Sequence, residues 1–443
     1  MVTSRLASSR WIAFAVVTML GPPLVAMPAC AHRVMKTPMI ARGSERPLPN
    51  ARPSVEVFYA TDRMRTRSKS PKSAYAASRG QSLRLGVARL TLGQSGDTPE
   101  SLVDDLRSNR CPKLAMSDIS EFGELGSTIP ITDPRGFAAL TSGTPDPDAA
   151  EAERAFAERI NAKLGPSGRV IVYVPGFNTS FSDAVLLVGE LGLFLEEGVV
   201  PVAFSWPARD NPLAYSKQLT SADVSRRALR ELLTFLAKRT DAERIDLMSY
   251  SAGAVLVTDA VHQLRLMHRD LHGEALRNEL KLGTIIYAGA DEDLDRFRSL
   301  YLDGFGDAAE NITLYSSSWD LGLLLSRFIV RGSPRLGRAV HGLSEFEREV
   351  LREGARTRFI DVTYAQSRAG GGGFWSHGYW FGNPWVSSDV VWQLRPGGAP
   401  SPGERGLVLD EENGVWRFPR DYPERAAQTA SHSRDADQRR RMR

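Results

Sequence analysis

The sequence predicts an α/β protein built on a mostly parallel sheet covered by helices on both faces, with an N-terminal extension. Three observations predict it. Short, unbroken apolar runs such as Val170-Ile171-Val172-Tyr173-Val174 recur along the chain, as strands buried on both faces require. Helix-compatible segments separate these runs, which gives repeated strand–helix units. Turn residues close the runs, as Pro175-Gly176 does after Val174. The 443 residues allow two or three domains or one large α/β domain, and the sustained alternation selects the single large unit.

Residues 1–30 read as a secretory signal. Arg5 and Arg10 give a positive start, Trp11 to Leu20 is apolar, and Gly21-Pro22-Pro23 breaks that run before Ala29-Cys30-Ala31. The run is short for a bilayer span. Three fates stay open: cleavage at the small-x-small site, lipidation of Cys30 through the lipobox-like Met27-Pro28-Ala29-Cys30, or retention as an uncleaved anchor. Each places the protein outside the cytoplasm, in the periplasm or cell envelope, with membrane attachment in the last two. Residues 31–54 are rich in Pro, Arg and Ser without periodicity and read as a flexible tether. The region 55–150 supplies N-terminal strands and loops. Val55 to Ala60 and Leu83 to Leu92 are its strands, and Ser95 to Pro147 is turn-rich and read as loops. Asp148 to Leu164 forms a helix with Phe156, Ile160 and Leu164 on one face.

The core, 151–395, takes further strands at Val200 to Phe204, Ile245 to Met248, Thr284 to Ala288, Ile312 to Tyr315 and Phe359 to Thr363. Helices are expected at Ser182 to Leu195, Ser221 to Lys238 and Ala254 to Met267; the second carries Leu229, Leu232, Leu233 and Leu236 on one stripe. A C-terminal extension, 396–423, and a disordered basic tail, 424–443, complete the chain.

The formal charge of +4 invites a nucleic-acid reading. Its location argues against one. Residues 1–30 hold +2 and residues 424–443 hold +3, which leaves −1 on residues 31–423. No nucleic-acid partner is therefore expected. The chain has two cysteines, Cys30 and Cys111; with Cys30 removed or acylated, the exported chain folds without a disulfide. There is no CxxC and no Cys/His ligand spacing, so neither a metal nor a cofactor is expected.

Ser251 lies in Ser249-Tyr250-Ser251-Ala252-Gly253, after an apolar run and before an apolar helix. Small residues two before and two after a serine permit the sharp strand-to-helix turn that exposes a nucleophile; helix capping is the plainer use of the same serine. A base must follow in the chain. Of the seven histidines, His341 precedes the last strand, whereas His377 follows it in a Gly-rich loop from which an imidazole reaches back over the elbow. The acid is Asp320, after the penultimate strand, with Asp291 as the alternative after the strand before. Backbone N–H groups of Ala252 and Phe177 are the candidate oxyanion donors. Trp375, Trp380, Trp385 and Trp392 cluster around His377 and serve either as core or as a pocket for an acyl or aromatic group.

Together these residues resemble a bacterial branch of the α/β-hydrolase superfamily, the esterase/lipase-like group known mainly as a domain of unknown function. The resemblance runs from Val57-Phe58-Tyr59-Ala60-Thr61-Asp62-Arg63 through Pro175-Gly176-Phe177-Asn178, Phe204-Ser205-Trp206-Pro207, Ser249 to Gly253, Ala290-Asp291-Glu292-Asp293 and Tyr315 to Asp320 to His377-Gly378-Tyr379. It implies an α/β-hydrolase fold and a Ser251, Asp320 and His377 triad in a serine hydrolase of small carboxylic esters. Pro175 and Tyr250 stand where the family carries His, and Ser249 where it carries a smaller residue. Those departures motivate the competing expectation of a catalytically weak, ligand-binding envelope protein.

Overall fold

The computed structural model describes residues 35–36, 38–39, 54–93, 97–98, 101, 114–127, 147–195, 197–208, 215–330, 334–341, 343–345, 347–348, 356–369, 377–395 and 401–429. Its strands are β1 (Ser54–Arg65), β2 (Tyr75–Leu92), β3 (Leu114–Ser127), β4 (Arg169–Val174), β5 (Val200–Ser205), β6 (Arg244–Tyr250), β7 (Leu282–Ala288), β8 (Asn311–Ser316), β9 (Thr357–Asp361), β10 (Val408–Asp410) and β11 (Val415–Arg417). They form one sheet in the order β10-β11-β9-β8-β7-β6-β4-β5-β1-β2-β3. From β11 to β1 every neighbouring pair is parallel. Antiparallel pairs finish each edge.

The helices are α1 (Pro147–Asn161), α2 (Phe181–Leu193), α3 (Tyr215–Arg239), α4 (Gly253–Met267), α5 (Gly273–Leu280), α6 (Leu294–Leu302), α7 (Leu321–Val330), α8 (Thr363–Ala369), α9 (Tyr379–Gly382) and α10 (Pro384–Gln393). Along β4, Val170, Val172 and Val174 enter one apolar layer with α1, α3 and α4, while Ile171 and Tyr173 enter the other with α2, α9 and α10. Because both faces are covered, successive strand residues must all be apolar. Truncating Ile171 to Ala costs about 2–5 kcal/mol.

Four stretches differ from the sequence expectation. Residues 114–127, expected as loop, form β3, an edge strand. Its outward Glu121 and Glu124 pair with Arg84 of β2, and register shifts interrupt the ladder, so polar cross-strand pairs replaced the alternation that marks a strand. Residues 401–423, expected as an extension, close the sheet through β10 and β11. Buried Arg405 there pairs with buried Asp389 at 2.7 Å. Residues 422–429 are helical and bury Ala426, so the segment expected as a disordered tail begins with packed structure. Met35 and Met39, within the expected tether, are hydrogen-bonded through their backbone N–H groups to Glu190 and Ser388, each at 2.7 Å. Residues 1–34, which hold Cys30 and the expected signal, lie outside the described residues, as do Cys111, residues 370–376 with Trp375, and residues 430–443.

Candidate active site

All the parallel strands end at one edge, and the candidate residues follow β4, β6, β7, β8 and β9 there. β6 runs into Ser251, which turns with φ +53, a left-handed conformation that costs a non-glycine residue roughly 1–2 kcal/mol. The neighbouring strand holds it. The Ser251 N–H donates to the Ala288 carbonyl at 3.1 Å, and the Asp291 N–H donates to the Ser251 carbonyl at 3.0 Å. α4 then starts hard against β4. A Cβ on Gly253 would lie 2.5 Å from the Val174 carbonyl oxygen, and one on Gly176 would lie 2.7 Å from Ser251 Cβ. Both glycines are therefore required by the approach of the elbow to the β4 turn. Ser249 fits because its buried hydroxyl donates to the Ile286 carbonyl at 3.2 Å.

The turn after β4 brings Phe177 beside this elbow. Asn178 has φ +51, and Trp206 Nε1 donates to the Pro175 carbonyl at 2.7 Å. Arg63, 1% exposed, donates to Thr179 O at 2.6 Å and to Ser205 Oγ at 2.9 Å. Thr61 Oγ1 donates to Ser205 O at 2.6 Å. The sequence reading gave Thr61-Asp62-Arg63 and Ser205-Trp206 no chemical part; packed together, they brace the turn that carries a candidate oxyanion donor. Asp62 is buried beneath this brace and accepts from Ser225 Oγ at 2.6 Å. Burial pushes its carboxyl up to about 6, against the smaller pull of the Ser225 hydrogen bond.

Asp320 follows β8, is fully buried, and lies 2.7 Å through Oδ2 from His377 Nδ1. Its other oxygen accepts the Leu323 N–H at 2.9 Å, and its carbonyl accepts from Arg338 Nη1 at 2.6 Å. The imidazole is held on several sides. A Cβ on Gly289 would meet its Cε1 at 3.1 Å and one on Gly322 its Cγ at 3.2 Å. Tyr250, next to Ser251, lies across the ring at 5.0 Å between centroids. Tyr379, two residues on, donates its hydroxyl to the Tyr315 carbonyl at 2.8 Å and ties the loop to β8.

Asp291 does not share the imidazole's company in these contacts. Its carboxylate accepts from Ser326 Oγ at 2.7 and 2.9 Å and pairs with Arg335 at 3.2 Å. Asp293 caps α6. Trp380, Trp385 and Trp392 are buried at 0, 8 and 3% exposure; they are core, since Trp380 packs against Tyr173 and Phe381. No group of three or more His, Cys, Asp or Glu able to hold a metal ion occurs among the described residues. No helix among them is long and apolar enough to cross a membrane.

A family described as "Alpha/beta hydrolase of unknown function (DUF900)" matches residues 148–393, more than half of the chain. The chain belongs to this family. The match takes in every candidate catalytic residue of this α/β hydrolase, whereas β1 to β3 and the closing strands lie outside it. No curated protein matches the sequence. Among solved structures, "Crystal structure of Aspergillus fumigatus lipase B" is similar at 14% identity over 65% of this chain and 66% of that one, with a TM-score of 0.34. The hydrolase thus spans just under two thirds of that lipase, and a likeness at this level carries no argument about activity.

Proposed function

We propose that the protein is an exported serine hydrolase that cleaves carboxylic esters through an acyl-enzyme. The observation that carries this reading is the 2.7 Å pair between buried Asp320 and His377 Nδ1, on the same sheet edge as a serine held at φ +53. In the proposed cycle Ser251 Oγ attacks the acyl carbon while His377 takes its proton, and the imidazolium returns that proton to the leaving alcohol. Water then attacks the acyl-enzyme with His377 as base, releasing the acid and Ser251. Asp320 holds the Nδ1–H tautomer and stabilises the imidazolium. The N–H groups of Phe177 and Ala252 receive the developing oxyanion, a contribution of about 10²–10³ in turnover per donor.

A fluorophosphonate probe should label the wild-type protein and fail to label Ser251→Ala, which should also lose p-nitrophenyl ester hydrolysis. Equal labelling of the two proteins sinks the assignment. Absence of both labelling and turnover in the wild type supports the competing, ligand-binding reading, for which the Tyr250 ring against His377 is the specific motive.

A further inference from the structure

The edge that carries the candidate triad continues past it. β8, β9 and β11 end side by side, and ligands of open α/β sheets bind outside the carboxyl ends of the strands. A cavity of about 640 Å³ lies there, within the range that holds small-molecule ligands. Its wall shares the β8 exit with the triad: Trp319, immediately before buried Asp320, is 52% exposed. Tyr364 adds a second ring, while Phe418 reaches the groove with a ring only 2% exposed.

The polar groups between those rings are planar and fixed. Arg417 lies 2.5 Å from Asp410 and 3.8 Å from Asp361, and Asp361 Oδ1 also accepts the Thr363 N–H at 2.9 Å. Asp410 and Asp361 offset the Arg417 charge, and Arg420 adds a second guanidinium to the lining, so the groove presents both donors and acceptors. Rings for the apolar faces of a ligand, and an oriented Asp/Arg pair plus hydroxyls for its rim, suit a saccharide, whose faces carry C–H groups and whose rim carries O–H groups. A simple acyl chain would take water from the Asp361 and Arg417 pair and give it no hydrogen bond in return.

We infer that this groove binds an oligosaccharide, so that the esters cleaved at Ser251 are carried on a saccharide chain. The inference rests on the proposed esterase reading for its second half only. The groove runs from β8 to β11, two to four strands from β6, which at about 4.8 Å per strand sets it roughly 10–20 Å from the nucleophile. A single sugar ring does not bridge that gap, so the ligand is a chain of several rings.

The test uses the full-length Ser251→Ala protein, titrated with xylotriose and cellotriose by calorimetry and tryptophan fluorescence. Saturable binding of a trisaccharide is expected, weakened about tenfold or more by Trp319→Ala and unchanged by Leu302→Ala, an exposed position outside the groove's lining. No binding of any trisaccharide, or equal binding to the Trp319→Ala protein, overturns the inference. Turnover is measured separately on wild type with acetylated xylan and p-nitrophenyl acetate. Trisaccharide binding without ester turnover overturns the esterase reading and leaves the groove standing. Turnover of p-nitrophenyl acetate without binding does the reverse.

Discussion

Asp291 and Asp320 leave adjacent parallel strands, β7 and β8, and both are nearly inaccessible. Their surroundings differ. At the β8 exit the carboxylate meets His377 and a single backbone N–H, so it can polarise an imidazole. At the β7 exit the carboxylate is bound by Arg335 and Ser326, while the backbone N–H of the same residue holds the strained Ser251 carbonyl. Position along the sheet edge does not decide what a buried acid does; its partner does. A third acid at that edge, Asp62 of β1, is partnered by the Ser225 hydroxyl.

The comparison is sharpest in the amides. Asp320→Asn keeps the shape and loses the acceptor that fixes the imidazole tautomer, and kcat for p-nitrophenyl esters should fall about 10⁴-fold with the melting temperature little changed. Asp291→Asn should do the opposite. It leaves Arg335 charged and buried without its counter-ion, a loss of about 3–5 kcal/mol in unfolding free energy, while kcat of the folded fraction stays within about tenfold. Urea unfolding and steady-state kinetics on both variants decide it. A kcat collapse in Asp291→Asn with Asp320→Asn active would reassign the acid.

How much of this was legible beforehand follows from what the chain can signal locally. Ser251, Asp320 and His377 stand out because chain order, strand ends and small residues around a serine are local features. Asp291 stayed open because both acids follow strands, and only Arg335 and Ser326, 44 and 35 positions on, separate the two cases. The brace from Arg63 to Thr179 and Ser205 spans 116 and 142 positions, and no periodicity announces a contact of that kind. β3 escaped because its edge is held by Glu121 and Glu124 against Arg84, which leaves a strand that reads as polar. The groove beyond β9 was hidden for a similar reason: Trp319 and Arg417 come to line one groove only after β11 closes the sheet.

The third acid yields a pH signature in stability. With its carboxyl raised to about 6 by burial, Asp62 is neutral in both states below about pH 4. Between about pH 4 and pH 6 the native state keeps a proton that the unfolded chain has lost, so stability falls as pH rises through that window. Above it the whole cost, about 3 kcal/mol, is present. Asp62→Asn carries no such titration. Urea unfolding of both proteins between about pH 4 and pH 7.5 should show the variant gaining about 3 kcal/mol relative to wild type across the window, and a constant difference would mean that Asp62 remains ionised in its burial site.

The smallest expected effect tests how the β8 exit keeps its histidine. Tyr379 is fully buried, and its hydroxyl donates to the Tyr315 carbonyl; burial holds its phenol well above the ordinary range, so it stays a donor at any working pH. Tyr379→Phe leaves the ring packing in place and removes one hydrogen bond, about 1 kcal/mol of stability. Because that bond anchors the residues that carry His377 to the strand that carries Asp320, kcat should fall too, by no more than about fivefold, the factor that the same energy represents. A loss near that of Asp320→Asn would make Tyr379 part of the chemistry, whereas an unchanged kcat would mean that Gly289, Gly322 and Tyr250 alone hold the imidazole in place.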